Sequence, residues 1–168
     1  MNPKVSIIMG STSDLSIMEA AAKLFEEMEI PFEMNALSVH RTPAEVEQFA
    51  KNAKERGIKV IIAGAGMAAH LPGVIASMTP LPVIGVPIRA GLEGLDALFA
   101  IVQMPPGIPV ATVAINGALN AALLAVQIMA TGDEVLMQKF IAYKENLKQK
   151  IVHANHELAQ IKFKFKTN

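Results

Sequence analysis

The chain contains no cysteine. Disulfides, thiolate nucleophiles and cysteine-ligated metals are therefore excluded, and the composition is compatible with a cytoplasmic home. Charge is scarce where it is most informative. Residues 57 to 132 hold only Lys59, Arg89, Glu93 and Asp96, four of the thirty charged side chains. Long apolar runs are also missing, because Pro72, Pro80, Pro82, Pro87, Pro105 and Pro109 cut that stretch into pieces. A spanning helix needs about 20 consecutive apolar residues, and the longest clean helical piece, ALNAALLAVQIMA, is shorter, so no membrane span is expected. The N-terminal MNPKVSIIMGS has too little basic lead and too short an apolar run for a signal peptide. The formal net charge is zero, which gives no nucleic-acid signature.

What is present is apolar: 52% of 168 residues are hydrophobic, enough for one domain with a substantial core. A middle so poor in charge is expected to be buried by its own helices and by neighbouring subunits, making a homo-oligomer. VSIIM (5–9), PFEMNAL (31–37), KVIIAG (59–64), PVIGV (82–86) and IPVATVAI (108–115) read as five strands. Helical patterns follow them, over LSIMEAAAKLFEEM, PAEVEQFAKNAKER, LPGVIASM, GLDALFAIVQM and ALNAALLAVQIMA. Continuous apolar strands alternating with helices predict an α/β fold of three layers. Its sheet is parallel and doubly wound, for example in the flavodoxin-like order 2-1-3-4-5. From Asp133 the pattern changes. Leu136, Phe140, Tyr143, Leu147, Ile151 and Leu158 recur at helical spacing and predict one long amphipathic helix over 133–168, used in packing or oligomerisation. Residues 1–168 are thus expected to form a single domain, with 1–132 as its α/β core. The terminal KFKFK reads as a solvated basic end rather than a nucleic-acid patch.

In such a sheet, ligands bind beyond the carboxyl ends of the strands at the switch point, between strands one and three. Three loops there carry chemistry. GSTSD offers a glycine, hydroxyls and helix-start N–H groups suited to a phosphate or carboxylate, and reads equally as a plain helix cap. It is not a P-loop, lacking the glycine–lysine–serine/threonine element. SVHRTP places His40 and Arg41 before a helix start in which Thr42 and Glu45 fit a capping box and Pro43 the first helical position. Histidine carries protons in both directions near neutral pH. Arginine is a natural phosphate partner, with a surface salt bridge as its alternative. GAGMAAHLPG has glycines and alanines that let a flat ligand touch the backbone, or pack the next helix. It lacks the acid that a dinucleotide fingerprint requires. His70 there suits either a ligand contact or a core histidine. His153 and His156 have metal-pair spacing but no third ligand nearby. The residues alone suit a lyase, a mutase or a binding module for a small phosphorylated ligand.

MGSTSD, SVHRTP, AGAGMAAHLPG, PVIGVP and IVQMPPGIPVATVAI with NAALLAVQI, in this order from about Val5 to Ala130, closely resemble the 5-(carboxyamino)imidazole ribonucleotide mutases of purine synthesis. Related AIR carboxylases typically carry His-Lys where this chain has His40-Arg41, and an AGRSNALSG-like segment in place of AGAGMAAHLPG. The resemblance implies a homo-octamer with sites at subunit contacts, no cofactor, and a ribonucleotide as the small-molecule substrate. Its implied reaction is carboxylate transfer by decarboxylation and recarboxylation, with His40 as the essential proton carrier. Ser11, Asp14 and Arg41 correspond to phosphate and ribose contacts. Ser13, Ser38, Gly66, Ala69, His70 and Leu71 correspond to pocket positions. Val39 and Met67 depart from the usual alanine and glycine, and AINGALNAA is shorter than in many relatives. An AIR carboxylase using free carbon dioxide, or a non-catalytic module, would use the same loops.

Overall fold

The computed structural model describes residues 2–168. One compact unit runs to Met129, and a second comprises Ala130–Asn168. The first carries β1 (Val5–Met9), α1 (Leu15–Glu27), β2 (Phe32–Ala36), α2 (Pro43–Asn52), β3 (Val60–Gly66), α3 (Leu71–Met78), β4 (Val83–Ile88), α4 (Leu95–Val102), β5 (Ala111–Thr112) and α5 (Ala118–Ala130). The five strands are parallel in the order β2-β1-β3-β4-β5, as the strand–helix alternation predicts.

Every residue of β1 and β4 is buried, and so is β3 up to Gly66, whereas β2 is half exposed at the sheet edge. This is why the first, third and fourth strands are continuous apolar runs while the second mixes Glu33 and Asn35 among its apolar residues. Alternating side chains divide between two faces. Ile8, Ile61, Ala63 and Val83 join one core with Val46 and Phe49 of α2, Ile75 of α3 and Ile101 of α4. On the opposite face Met18 of α1 lies so close to Gly64 that an added Cβ would approach its sulfur to 2.6 Å. Ser6, buried in β1, donates a hydrogen bond to Glu33 (2.9 Å), whose other oxygen pairs with Arg56.

Four elements differ in extent from expectation. β3 and β4 each run two residues further toward their carboxyl ends than the sequence suggests, so the small residues Ala65 and Gly66 are strand rather than loop. α2 ends at Asn52 and gives way to turns before Gly57, whose φ of 92° glycine takes without strain. β5 shrinks from the expected 108–115 to two paired residues. Beyond it the chain still bonds to β4, from Val113 N to Gly85 O (3.2 Å) and Asn116 N to Pro87 O (2.8 Å). The left-handed Asn116 (φ 58°) breaks the extended geometry, and Pro109 has no N–H for a ladder.

In the second unit α6 (Glu134–Gln160) is one 27-residue helix. The Asp133 carboxylate caps it, accepting from Leu136 N at 3.1 Å. None of its residues is buried. No helix among the described residues is long and apolar enough to cross a membrane.

Candidate active site

Beyond the carboxyl ends of the strands lies a cavity of about 470 Å³. Its position follows from topology: the chain leaves β1 and β3 in opposite directions across the sheet, opening a crevice between their ends. Ser11, Ser13 and Asp14 line it from the β1 loop, Ser38, His40 and Arg41 from the β2 loop, and Gly66 and Leu71 from the third. Sequence reasoning thus gathers eight residues that the structure brings to one cavity. Two others sit differently. Ala69 is buried in the core, and His70 contacts His40 without itself lining the cavity.

The β2 loop is built by Ser38 and Thr42, and the expected capping box does not form. The Thr42 hydroxyl accepts from Ser38 N (3.0 Å) and donates to Ser38 O (3.0 Å), while Thr42 N donates to the same carbonyl (2.7 Å). Thr42 occupies the N-cap position of α2 without a side-chain cap bond. Its hydroxyl is spent on closing a five-residue turn, with His40 and Arg41 within it. Pro43 does start the helix. Arg41 is no salt-bridge residue among the described ion pairs. Its Nη2 donates to the Gly10 carbonyl at 2.9 Å and its Nε to Ser38 Oγ at 3.3 Å, which aims the guanidinium across the end of β1.

In the β1 loop, Ser11 caps a short 3-10 turn over Thr12–Asp14, its hydroxyl accepting from Ser13 N at 3.3 Å. Asp14 follows at the start of α1 without a side-chain cap bond. Partial burial pushes its carboxyl above the usual aspartate range, opposed by hydrogen bonds from the Ser13 hydroxyl and the Ser11 backbone. With the folded-state pKa raised, the native state holds that proton more tightly, so stability falls as pH rises from the ordinary aspartate pKa through the folded one. Asp14→Asn is therefore expected to raise the melting temperature slightly at pH 7. The gain should vanish in acid, where Asp14 is protonated in both states; thermal melts at the two pH values check this. The same change is expected to weaken ligand binding, which a binding titration of the variant checks.

The third wall is backbone. A Cβ added at Gly66 would meet Ala90 Cβ at 3.0 Å and Ile88 O at 3.2 Å, so a larger residue would press on its neighbours where the ends of β3 and β4 converge. Met67 adopts φ 55°, a region glycine occupies at no cost, which explains why the resembling family usually has glycine there. Gly10, Ala65 and Ala68 on the lining belong to the glycines and alanines that the loop reading offers a ligand, whereas Ala90 was missed. Ala90 was within reach of the same topological rule, applied to the end of β4. Val39 and Met67 line the cavity as well, inside loops already singled out.

The two imidazoles meet. His40 Nε2 lies 2.8 Å from His70 Nδ1, and the rings are edge-on, with centroids 5.0 Å apart and planes at 82°. His153 and His156 are elsewhere, on α6, where His153 faces Glu157 at 3.2 Å. No group of three potential metal ligands lies together among the described residues.

A doubly wound parallel sheet with a cavity at its switch point, walled by serines, a pinned arginine and an imidazole, defines an α/β protein with a candidate small-ligand site. The sequence matches the AIR carboxylase family over residues 4–150, and the chain belongs to that family. It is similar to the N5-carboxyaminoimidazole ribonucleotide mutase of Pyrococcus abyssi, at 57% identity over 88% of this chain and 85% of the relative. It resembles the Thermotoga maritima protein of the same name at 54% identity over 96% and 95%. A crystal structure of a Treponema denticola PurE2 variant superposes with a TM-score of 0.85 at 29% identity, covering 94% of this chain and 99% of that one.

Proposed function

We propose that this chain is an isomerase of purine biosynthesis. It converts 5-(carboxyamino)imidazole ribonucleotide to 4-carboxy-5-aminoimidazole ribonucleotide, with His40 carrying the proton. The observation behind this reading is the presence of Ser11, Ser13, Asp14, His40 and Arg41 around one cavity, in a chain so similar to proteins named as that mutase. The hydroxyls and Arg41 suit the substrate phosphate and Asp14 the ribose hydroxyls, while Gly66 and its small neighbours leave room for a flat imidazole.

Carboxylate transfer needs one proton delivered and one removed. Loss of carbon dioxide from the carbamate leaves the exocyclic nitrogen short of a proton, which His40 supplies. The ring carbon then attacks the retained carbon dioxide and gives its proton back to His40. Atoms and charge balance without an external acid or base, so one imidazole alternating between two states suffices. No cofactor enters this scheme. Freshly prepared carboxyaminoimidazole ribonucleotide should be turned over in preference to aminoimidazole ribonucleotide with low bicarbonate. The reverse preference would make the protein a carboxylase using free carbon dioxide. Binding without turnover of either would make it a ligand-binding module.

The assembly proposed is a cytoplasmic homo-octamer with sites completed at subunit contacts. Leu92, Leu95, Phe99 and Val102 form an exposed apolar face at α4, and α6 leaves Val135, Ile141, Leu147, Ile151 and Leu158 exposed. Such surfaces call for a partner. Light scattering at micromolar concentration is expected to give about eight times the 18.0 kDa chain mass; a monomer refutes the assembly. Truncation before Asp133 should reduce the particle to fewer chains.

A further inference from the structure

We propose that His70 is a positioning residue that fixes the tautomer of His40, leaving Nδ1 of His40 as the atom that handles the substrate proton. This rests on the reading of His40 as the proton carrier. The 2.8 Å contact joins Nε2 of His40 to Nδ1 of His70, and one proton must lie between those nitrogens for them to bond. Neither remaining nitrogen, Nδ1 of His40 nor Nε2 of His70, has a protein partner among the described residues. Only His40 lines the cavity.

The bond is not incidental to a cap or a core. His70 stands at the N-cap position of α3, yet its side chain makes no cap hydrogen bond, and both histidines are exposed. The other charged groups on the cavity wall are engaged elsewhere, Asp14 with Ser13 and Arg41 with Gly10 and Ser38. Among the described residues each histidine is thus the other's only side-chain partner.

The proton count assigns the roles. For His40 to collect a proton at Nδ1, that nitrogen must be bare, so its ring hydrogen sits on Nε2 and is donated to His70. His70 then accepts at Nδ1 and carries its own hydrogen on Nε2. When His40 takes the proton from the ring carbon it becomes an imidazolium whose Nε2–H still points at the His70 lone pair. His70 therefore stabilises the charged form without changing its own protonation. The cycle runs from imidazolium to neutral His40 and back, with no net gain or loss.

Two variants separate the roles of His70. His70→Phe keeps a ring against His40 but offers no acceptor. Its kcat is expected to fall about 10–100-fold, the span of a lost charge-assisted hydrogen bond, with KM little changed. The alkaline limb of the pH profile, where His40 loses the proton that starts the cycle, should move to lower pH, because the imidazolium has lost its acceptor. His70→Asn places an amide oxygen near the position of Nδ1 and should recover most of the rate. Equal rates and profiles for His70→Phe and the native protein would overturn the positioning role. Independently of activity, 15N NMR of the histidine-labelled octamer should show neutral His40 as the Nε2–H tautomer, and should show that preference lost in His70→Phe. A neutral His40 carrying its hydrogen on Nδ1 would overturn the assignment. That measurement reads the pair whether or not His40 carries the substrate proton, so the two readings fail separately.

Discussion

His40→Asn is expected to give a folded, assembled protein that binds the ribonucleotide and turns it over roughly 10²–10⁴-fold more slowly, the span for a lost general acid–base. Folding should survive because the turn does not depend on the imidazole. Ser38 and Thr42 hold it through three hydrogen bonds, and Pro43 starts α2 regardless of residue 40. Binding should survive because the proposed phosphate contacts lie on the β1 loop and Arg41. Asparagine cannot replace the function, since its amide does not exchange a proton near neutral pH. The measurement is single-turnover kinetics beside equilibrium binding of the product. Native turnover with intact binding would mean that the proton travels by another route. If His70→Asn were inactive while His40→Asn remained active, the carrier would be His70.

The parallel, doubly wound sheet was legible because burial on both faces writes itself into the strands as unbroken apolar runs, and these alternate with 3.6-periodic segments. The site was legible because topology fixes where three loops must meet, and two of those loops hold residues with no packing duty. What stayed hidden depended on contacts between distant segments. Nothing in SVHRTP shows that the Thr42 hydroxyl closes the turn on Ser38 instead of capping α2, since both uses need the same hydroxyl at the same position. Nothing in residues 40 and 70, thirty apart, shows that their rings bond. That depends on β1 lying between β2 and β3 and on the loops beyond leaning together. The length of β5 was hidden as well: its residues suit a strand, but only two find a regular partner on β4. Met67 runs the other way. As a residue it argues against the left-handed backbone it adopts, and only the resemblance to a family with glycine there hinted at it.

Arg41→Ala is expected to raise KM and the dissociation constant by the equivalent of about 1.5–3 kcal/mol, the worth of a hydrogen bond to a charged group, with kcat close to native. A phosphate remote from the reacting atoms is held alike in ground and transition states, so its loss weakens binding without raising the chemical barrier. The geometry sets a rival outcome. Arg41 also ties its loop to the end of β1, through Nη2 to the Gly10 carbonyl and Nε to Ser38. If that strut were its main role, Arg41→Ala would let His40 drift and would lower kcat with little change in KM. Arg41→Lys sharpens the comparison, because an ammonium keeps the charge but cannot reach two protein acceptors and a phosphate with a fixed planar fork. A phosphate anchor predicts partial recovery of KM by lysine at 0.05 M salt and less at 0.5 M, where screening shortens the reach of an exposed charge. A strut predicts no recovery by lysine at either ionic strength. Steady-state kinetics of the two variants at both salt concentrations therefore decides which role Arg41 plays.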